Sequence, residues 1–200
     1  MKTPAIFIFA SKYQNIDSMK KINKVLVILG TPGVGKTTFA KKLSKKTGAR
    51  LIEANKVIEE YKLYSGFDKF GTKIVKMKEL ERMLNKLAKD GNVIIEGHIL
   101  ADLKIKGAIA IVLREHLQKI YKRLKARGYP DEKILENIES EALDYSGINA
   151  EKNYGEVYEF FSRDKKLMEK VIDIMNGKKV KKENIELLEE LIPFITKSSR

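Results

Sequence analysis

The run Gly30-Thr31-Pro32-Gly33-Val34-Gly35-Lys36-Thr37, with Thr38 after it, constrains this chain more than any other feature. It satisfies the pattern G-x-x-x-x-G-K-[ST] in full. The unbroken apolar run Val25–Leu29 leads into it, as a central parallel strand buried on both faces would. Residues 37–46 then read as a helix, with Phe39, Ala40 and Leu43 on one side and Lys41, Lys42, Lys45 and Lys46 on the other, ended by Gly48. Glycines let the backbone bend until successive N–H groups face phosphate oxygens, and a helix N-terminus favours negative charge. In such a loop Lys36 reaches the β- and γ-phosphates of ATP and the Thr37 hydroxyl ligates Mg²⁺. The plainer alternative is an ordinary glycine turn between strand and helix.

The rest of the chain alternates strand and helix, the mark of an α/β fold with a parallel sheet and right-handed crossovers. Strands are expected at residues 51–54, 93–95, 108–113 and 157–161. Helices are expected from Asn55, as a cap, to about 63, then at 75–89, 117–125, 132–143 (capped by Asp131) and 164–175. Residues 64–71 read as loop. Residues 1–18 read as an N-terminal extension, with a short strand at 6–9 and Met19 as an alternative start; residues 19–177 form the main domain. Residues 178–200 hold a basic linker to Lys182 and a terminal amphipathic helix at 185–195.

Lys and Arg total 40 against 27 acidic residues, a formal charge of +13. Such a balance favours polyanions such as nucleotides or RNA, or else describes a lysine-rich solvated surface. There is no cysteine, which excludes disulfides and thiolate metal sites. With no long apolar stretch and no convincing secretory signal, the expectation is a cytoplasmic protein without a membrane partner.

A phosphate loop of this kind works with an acidic residue at the end of a neighbouring strand, which holds the Mg²⁺ shell or polarises water. Glu96, after three apolar residues and before Gly97, fits that place; Asp102 fits it less well. His98 lies two residues on and is suited to orienting water or an acceptor near the γ-phosphate, or is a polar loop residue. His116, near a helix start, reads as surface. Arg123 and Arg127 are four apart on one helix, just before Gly128-Tyr129-Pro130. Guanidinium groups there suit a segment closing over phosphates, where they stabilise spreading transition-state charge; a charged helix face is the alternative.

Together these segments resemble the adenylate kinase isoenzyme-six type family, small P-loop proteins that also act as ribosome-assembly ATPases. The likeness rests on the phosphate loop, Leu63-Tyr64-Ser65-Gly66-Phe67-Asp68, Val93-Ile94-Ile95-Glu96-Gly97-His98, Val112-Leu113-Arg114, Tyr121-Lys122-Arg123-Leu124-Lys125-Ala126-Arg127-Gly128-Tyr129, Lys133-Ile134, Glu136-Asn137-Ile138 and Glu141-Ala142-Leu143. It covers residues 22–145 well. The resemblance implies a P-loop NTPase fold with a five-stranded parallel sheet flanked by helices. It places a nucleoside-monophosphate (NMP) segment near residues 53–78 and a lid near 126–136. It implies reversible transfer from ATP to AMP with some ATP hydrolysis, and association with a small-subunit ribosomal protein during rRNA maturation. Nucleotide contacts carry over to Gly33, Gly35, Lys36, Thr37, Thr38 and Arg127, metal ligation to Thr37 and Glu96, and catalytic roles to Lys36, Glu96, His98 and Arg127. One departure is that residues 52–71 contain no arginine, and Glu59 falls where relatives can place one. Two functions therefore compete. One is a nucleoside monophosphate kinase; the other is an assembly ATPase that binds a ribosomal protein and rRNA with little kinase activity.

Overall fold

The computed structural model describes residues 24–198. The expected strand at 6–9 and the extension at 1–18 lie outside the described residues. The elements run β1 (Val25–Leu29), α1 (Lys36–Thr47), β2 (Arg50–Glu53), α2 (Ala54–Glu60), β3 (Tyr64–Phe67), β4 (Lys73–Val75), α3 (Met77–Leu87) and β5 (Val93–Glu96). A 3-10 turn (His98–Asp102) follows, then β6 (Ala108–Arg114), α4 (Leu117–Ala126), α5 (Asp131–Ala142), α6 (Tyr145–Asn153), β7 (Glu156–Phe161) and α7 (Leu167–Met175). A second 3-10 turn (Leu188–Leu191) leads into α8 (Ile192–Ser198).

The main sheet is five-stranded and parallel throughout, in the order β2-β5-β1-β6-β7. Helices cover both faces, as an all-parallel sheet requires. Successive side chains of a strand point to opposite faces. Leu26 and Ile28 accordingly enter one apolar cluster with α1, α4, α5 and α7, while Val25, Val27 and Leu29 enter the other with α2, α3 and α6. Each fully buried aliphatic side chain contributes about 1.5–3 kcal/mol of transfer free energy. The chain order reverses beside β1, the strand that feeds the phosphate loop. In open α/β sheets ligands bind in the crevice that opens at such a point, beyond the carboxyl ends of the strands.

Several expectations change at the element ends. Residues 64–71 are not all loop: β3 and β4 form an antiparallel hairpin. Its tip is held by Asp68 Oδ1, which accepts from the N–H groups of Phe70 and Thr72, both at 2.8 Å. The helix expected from 75 begins at Met77 because Lys73–Val75 pairs as a strand. Neither Asn55 nor Asp131 caps a helix; Glu53 and Pro130 occupy those positions, without a side-chain cap bond. Helix α6 was not expected. It is started by Asp144, whose carboxylate accepts from Gly147 N at 3.1 Å. Helix α7 starts at Leu167, after a turn in which Asp164 Oδ1 accepts from Lys166 N at 2.7 Å.

The expected terminal helix at 185–195 is instead irregular through Leu187, then a 3-10 turn, then α8. Ile185 and Leu187 are buried on either side of exposed Glu186, and with Leu191 they join the core cluster beside α4. Glu190 completes that docking. Its Oε2 accepts from Leu117 N at 2.9 Å, at the open end of α4, and its Oε1 meets His116 Nδ1 at 2.6 Å.

Candidate functional site

Three strand ends meet at one edge of the sheet. After β1, Gly30 takes φ 131°, and a Cβ there would lie 2.3 Å from the Leu113 carbonyl oxygen. Only a residue without a side chain lets the loop press against β6 in this way. Gly35, at φ 111°, delivers the chain into α1. Lys36 is buried, and its Nζ donates to the carbonyls of Gly30 at 2.7 Å and Thr31 at 2.9 Å. The loop's own backbone thus aims the ammonium. Burial lowers its pKa to about 8, with Arg127 adding to the fall and Glu96 and Glu141 opposing it.

At the end of β5, Glu96 is buried and its Oε1 accepts from Thr37 Oγ1 at 3.2 Å. Burial raises the Glu96 pKa, against the pull of Lys36 and the Thr37 hydrogen bond. Gly97 is set by space: a Cβ would lie 2.9 Å from Ala54 Cβ. The Thr37 hydroxyl and Glu96 carboxylate form a pair of hard oxygen donors next to the phosphate loop. Mg²⁺ is commonly held by one or two such groups, with phosphate oxygens and water completing the octahedron, so the pair fits that ion.

A cleft of about 610 Å³ opens over these groups. The P-loop residues Gly33, Gly35, Lys36, Thr37 and Thr38 form its floor, with Glu96, Gly97 and His98 beside them. Asn55 of α2 and the hairpin tip, from Asp68 to Thr72, wall one side. Arg127, Tyr129, Lys133, Glu136 and Asn137, at the α4–α5 junction and along α5, wall another. His98 is open to the cleft's solvent yet surrounded by its walls. Desolvation by those walls, then the cations of Lys36 and Lys133, lower its pKa to about 4, so the imidazole is neutral near pH 7. Arg127 is exposed and lines the cleft from the end of α4.

All eight residues singled out for the site, from Gly33 to Arg127, therefore line one cleft. The other candidates fall elsewhere. Arg123 grips the loop from behind, donating to the Gly33 carbonyl at 2.7 Å and to Glu115 Oε2 at 3.0 Å. Asp102 is outside the cleft and accepts from Tyr145 OH at 2.7 Å. His116 is exposed, as expected, and stacks on Phe161. Residues 68–72 and Lys133 fall within the NMP segment and the lid that the resemblance implies, but were not singled out as site residues. Lys133 donates to Thr72 Oγ1, beside a Lys69–Glu132 ion pair, so the hairpin and the start of α5 are joined across the cleft. The lysines and the turn-forming Asp68 were visible signals, but nothing local tells that they meet.

With this geometry in hand, comparison with known proteins is specific. The AAA domain family matches residues 26–144. A protein of Methanocaldococcus jannaschii named "Putative adenylate kinase" is 30% identical over 176 residues, 86% of this chain and 97% of that protein. The chain belongs to the P-loop kinase family of these archaeal proteins. Members with the same name from Pyrococcus furiosus (33% identical, covering 86% of this chain and 97% of theirs) and Methanosarcina barkeri (37%, covering 75% and 87%) extend the likeness. Among solved structures, the shikimate kinase of Acinetobacter baumannii in complex with shikimate superposes with a TM-score of 0.59 at 18% identity, over 80% of this chain and 97% of that one. The shikimate kinase of Bacteroides thetaiotaomicron gives 0.54, also at 18%, over 77% and 96%. At that identity these two speak for the fold alone. No helix among the described residues of this P-loop kinase is long and apolar enough to cross a membrane.

Proposed function

We propose that this P-loop kinase moves the γ-phosphoryl group of ATP to AMP, forming two ADP, with water as a slower alternative acceptor. The observation that carries the reading is a two-sided cleft. Lys36 and the Thr37–Glu96 pair lie at its floor, and a separate pocket wall is built from Asn55 and the hairpin tip. A nucleotide triphosphate on the loop leaves that second wall free for an acceptor.

Lys36 would bind the β- and γ-phosphate oxygens, and Thr37 and Glu96 would hold Mg²⁺, which supplies charge neutralisation at the phosphates when bound. Thr38 and the backbone N–H groups from Gly33 to Gly35 would cradle the remaining oxygens. As an AMP phosphate oxygen bonds to the γ-phosphorus and the bond to the β–γ bridging oxygen breaks, Arg127 would meet the charge that spreads over the transferred group. His98, neutral beside Glu96, is suited to accept a hydrogen bond from water, which supports the hydrolytic branch. A role in small-subunit maturation, through a ribosomal protein or rRNA, belongs to the same proposal and is supported by the +13 charge. Recovery of no ribosomal component in a pull-down from cell extract would remove that part.

The test of the chemistry is chromatographic quantification of ATP, ADP and AMP over time with Mg²⁺, with and without AMP. Two ADP formed per ATP lost, with AMP consumed, is the expected result. Slow ATP loss with millimolar AMP untouched would make the protein an ATPase instead.

A further inference from the structure

Behind the phosphate loop lies a chain of buried polar groups for which phosphoryl transfer has no direct use. Thr31, the second residue of the loop, donates its hydroxyl to Glu141 Oε2 at 2.5 Å. Glu141 belongs to the last turn of α5 and is 1% exposed. Its Oε1 accepts from Arg114 Nε and from the backbone N–H of Glu115, both at 3.1 Å. Arg114, wholly buried at the end of β6, donates again to the Glu141 carbonyl at 2.8 Å and reaches Asp144 and Glu159 with its remaining nitrogen.

Stability alone is a weak reason for such a network. Buried ion pairs lose in desolvation much of what they gain in attraction, and apolar groups of the same shape often do as well. Position supplies a better reason. The residue whose hydroxyl binds Glu141 is also the residue whose carbonyl holds Lys36 Nζ at 2.9 Å. Fixing the Thr31 side chain fixes that carbonyl, and with it the direction of the ammonium. The other end of the same helix, α5, carries Lys133, Glu136 and Asn137 into the cleft and is tied to the hairpin through Lys133 and Glu132. A single rigid rod thus runs from the mouth of the cleft to the back of the phosphate loop.

We propose that the Thr31–Glu141 bridge is a positioning device, in which the seating of α5 over the cleft sets the aim of Lys36 at the nucleotide phosphates. Glu141 is a positioning residue here, since it faces the loop from behind and touches no substrate. The proposal rests on the reading of the cleft as an ATP site, but not on AMP as the acceptor.

Replacing Glu141 by Ala would strand Arg114 and risk the fold, so the decisive variants are Thr31→Val, Thr31→Ser and Glu141→Gln. Each is measured for kcat of ATP loss, for affinity toward a Mg²⁺-bound non-hydrolysable ATP analogue, and for melting temperature. Thr31→Val keeps the shape, removes the bridge and leaves Glu141 Oε2 without its hydroxyl partner. It should lower kcat about tenfold, as expected for a small misplacement of a charged group. It should weaken analogue binding about threefold, the scale of one modest hydrogen bond. Thr31→Ser should restore both. Glu141→Gln keeps a partner for the Thr31 hydroxyl, since an amide can donate to it or accept from it, and should therefore impair both readouts less than Thr31→Val.

Wild-type kcat and analogue affinity in Thr31→Val, whatever its melting temperature, would overturn the proposal by leaving the bridge a purely structural contact. So would a Thr31→Ser variant as impaired as Thr31→Val. If the wild-type protein bound the analogue without turning ATP over, the proposed function would fail; the affinity series would still decide the role of the bridge.

Discussion

The floor of the cleft and its hairpin wall are built by opposite means. The phosphate loop is held through its backbone: Gly30 pressed against β6, a buried lysine bonded to carbonyls, and Arg123 gripping the Gly33 carbonyl from behind. The β3–β4 hairpin rests on the core only at its base, through Tyr64 and Val75. Farther out it relies on the solvated Lys69–Glu132 pair and the half-buried Lys73 with exposed Glu59, and Phe67 and Ile74 are exposed. Exposed pairs contribute little to stability and are screened by salt, whereas buried backbone bonds are costly to break. The floor is therefore fixed and the hairpin wall adjustable. A kinase that must admit an acceptor and then exclude water needs that division.

The contrast can be broken by experiment. The largest effect is expected at the fixed floor, where Lys36→Ala should reduce ATP turnover about a thousandfold by removing the principal cation at the phosphates. A loss below tenfold would mean that the loop's amides do most of the work. Arg127→Ala should lower kcat about a hundredfold while moving ATP affinity far less, since its charge matters most when the transferred group carries spreading charge. Equal losses in kcat and affinity would make it a plain binding residue.

The pH profile sharpens the same point. Folding lowers the Lys36 pKa from 10.5 to about 8, so the ammonium of the free protein is lost as pH rises through that value. The ratio kcat/KM for ATP should therefore fall on the alkaline side of about pH 8, and a flat profile to pH 10 would refute the burial argument. The smallest effect belongs to the adjustable wall. Lys73→Ala should change unfolding free energy in denaturant titration by less than about 1 kcal/mol, because its partner Glu59 is solvated. A larger loss would show the hairpin to be as rigid as the loop.

Legibility in the sequence follows the same divide. The three central strands β1, β5 and β6 could be read because burial on both faces leaves apolar runs, and the loop and Glu96 because each is contiguous with one of those strands. The hairpin could not. Ser65 and Gly66 blur its alternation, and its turn depends on where the Asp68 side chain lands. Helix α6 was hidden by Ser146 and Gly147, poor helix formers in isolation. In the fold, Gly147 leaves room for the Glu159 carboxylate, whose Oε1 would lie 2.3 Å from a Cβ there. Arg123 read as a lid residue because spacing gives the helix face but not which side of the loop that face meets. The Thr31–Glu141 bridge joins positions 110 apart and leaves no local trace.

Glu190 has a consequence in time as well as in space. Helix α4, which carries Arg123 and leads into Arg127, donates its N-terminal hydrogen bond to a residue that is synthesised 73 positions after Leu117. During growth of the chain, β1, the phosphate loop and α1 can be complete long before that bond exists. A nascent protein interrupted before Glu190 would carry the loop but leave the end of its arginine helix open.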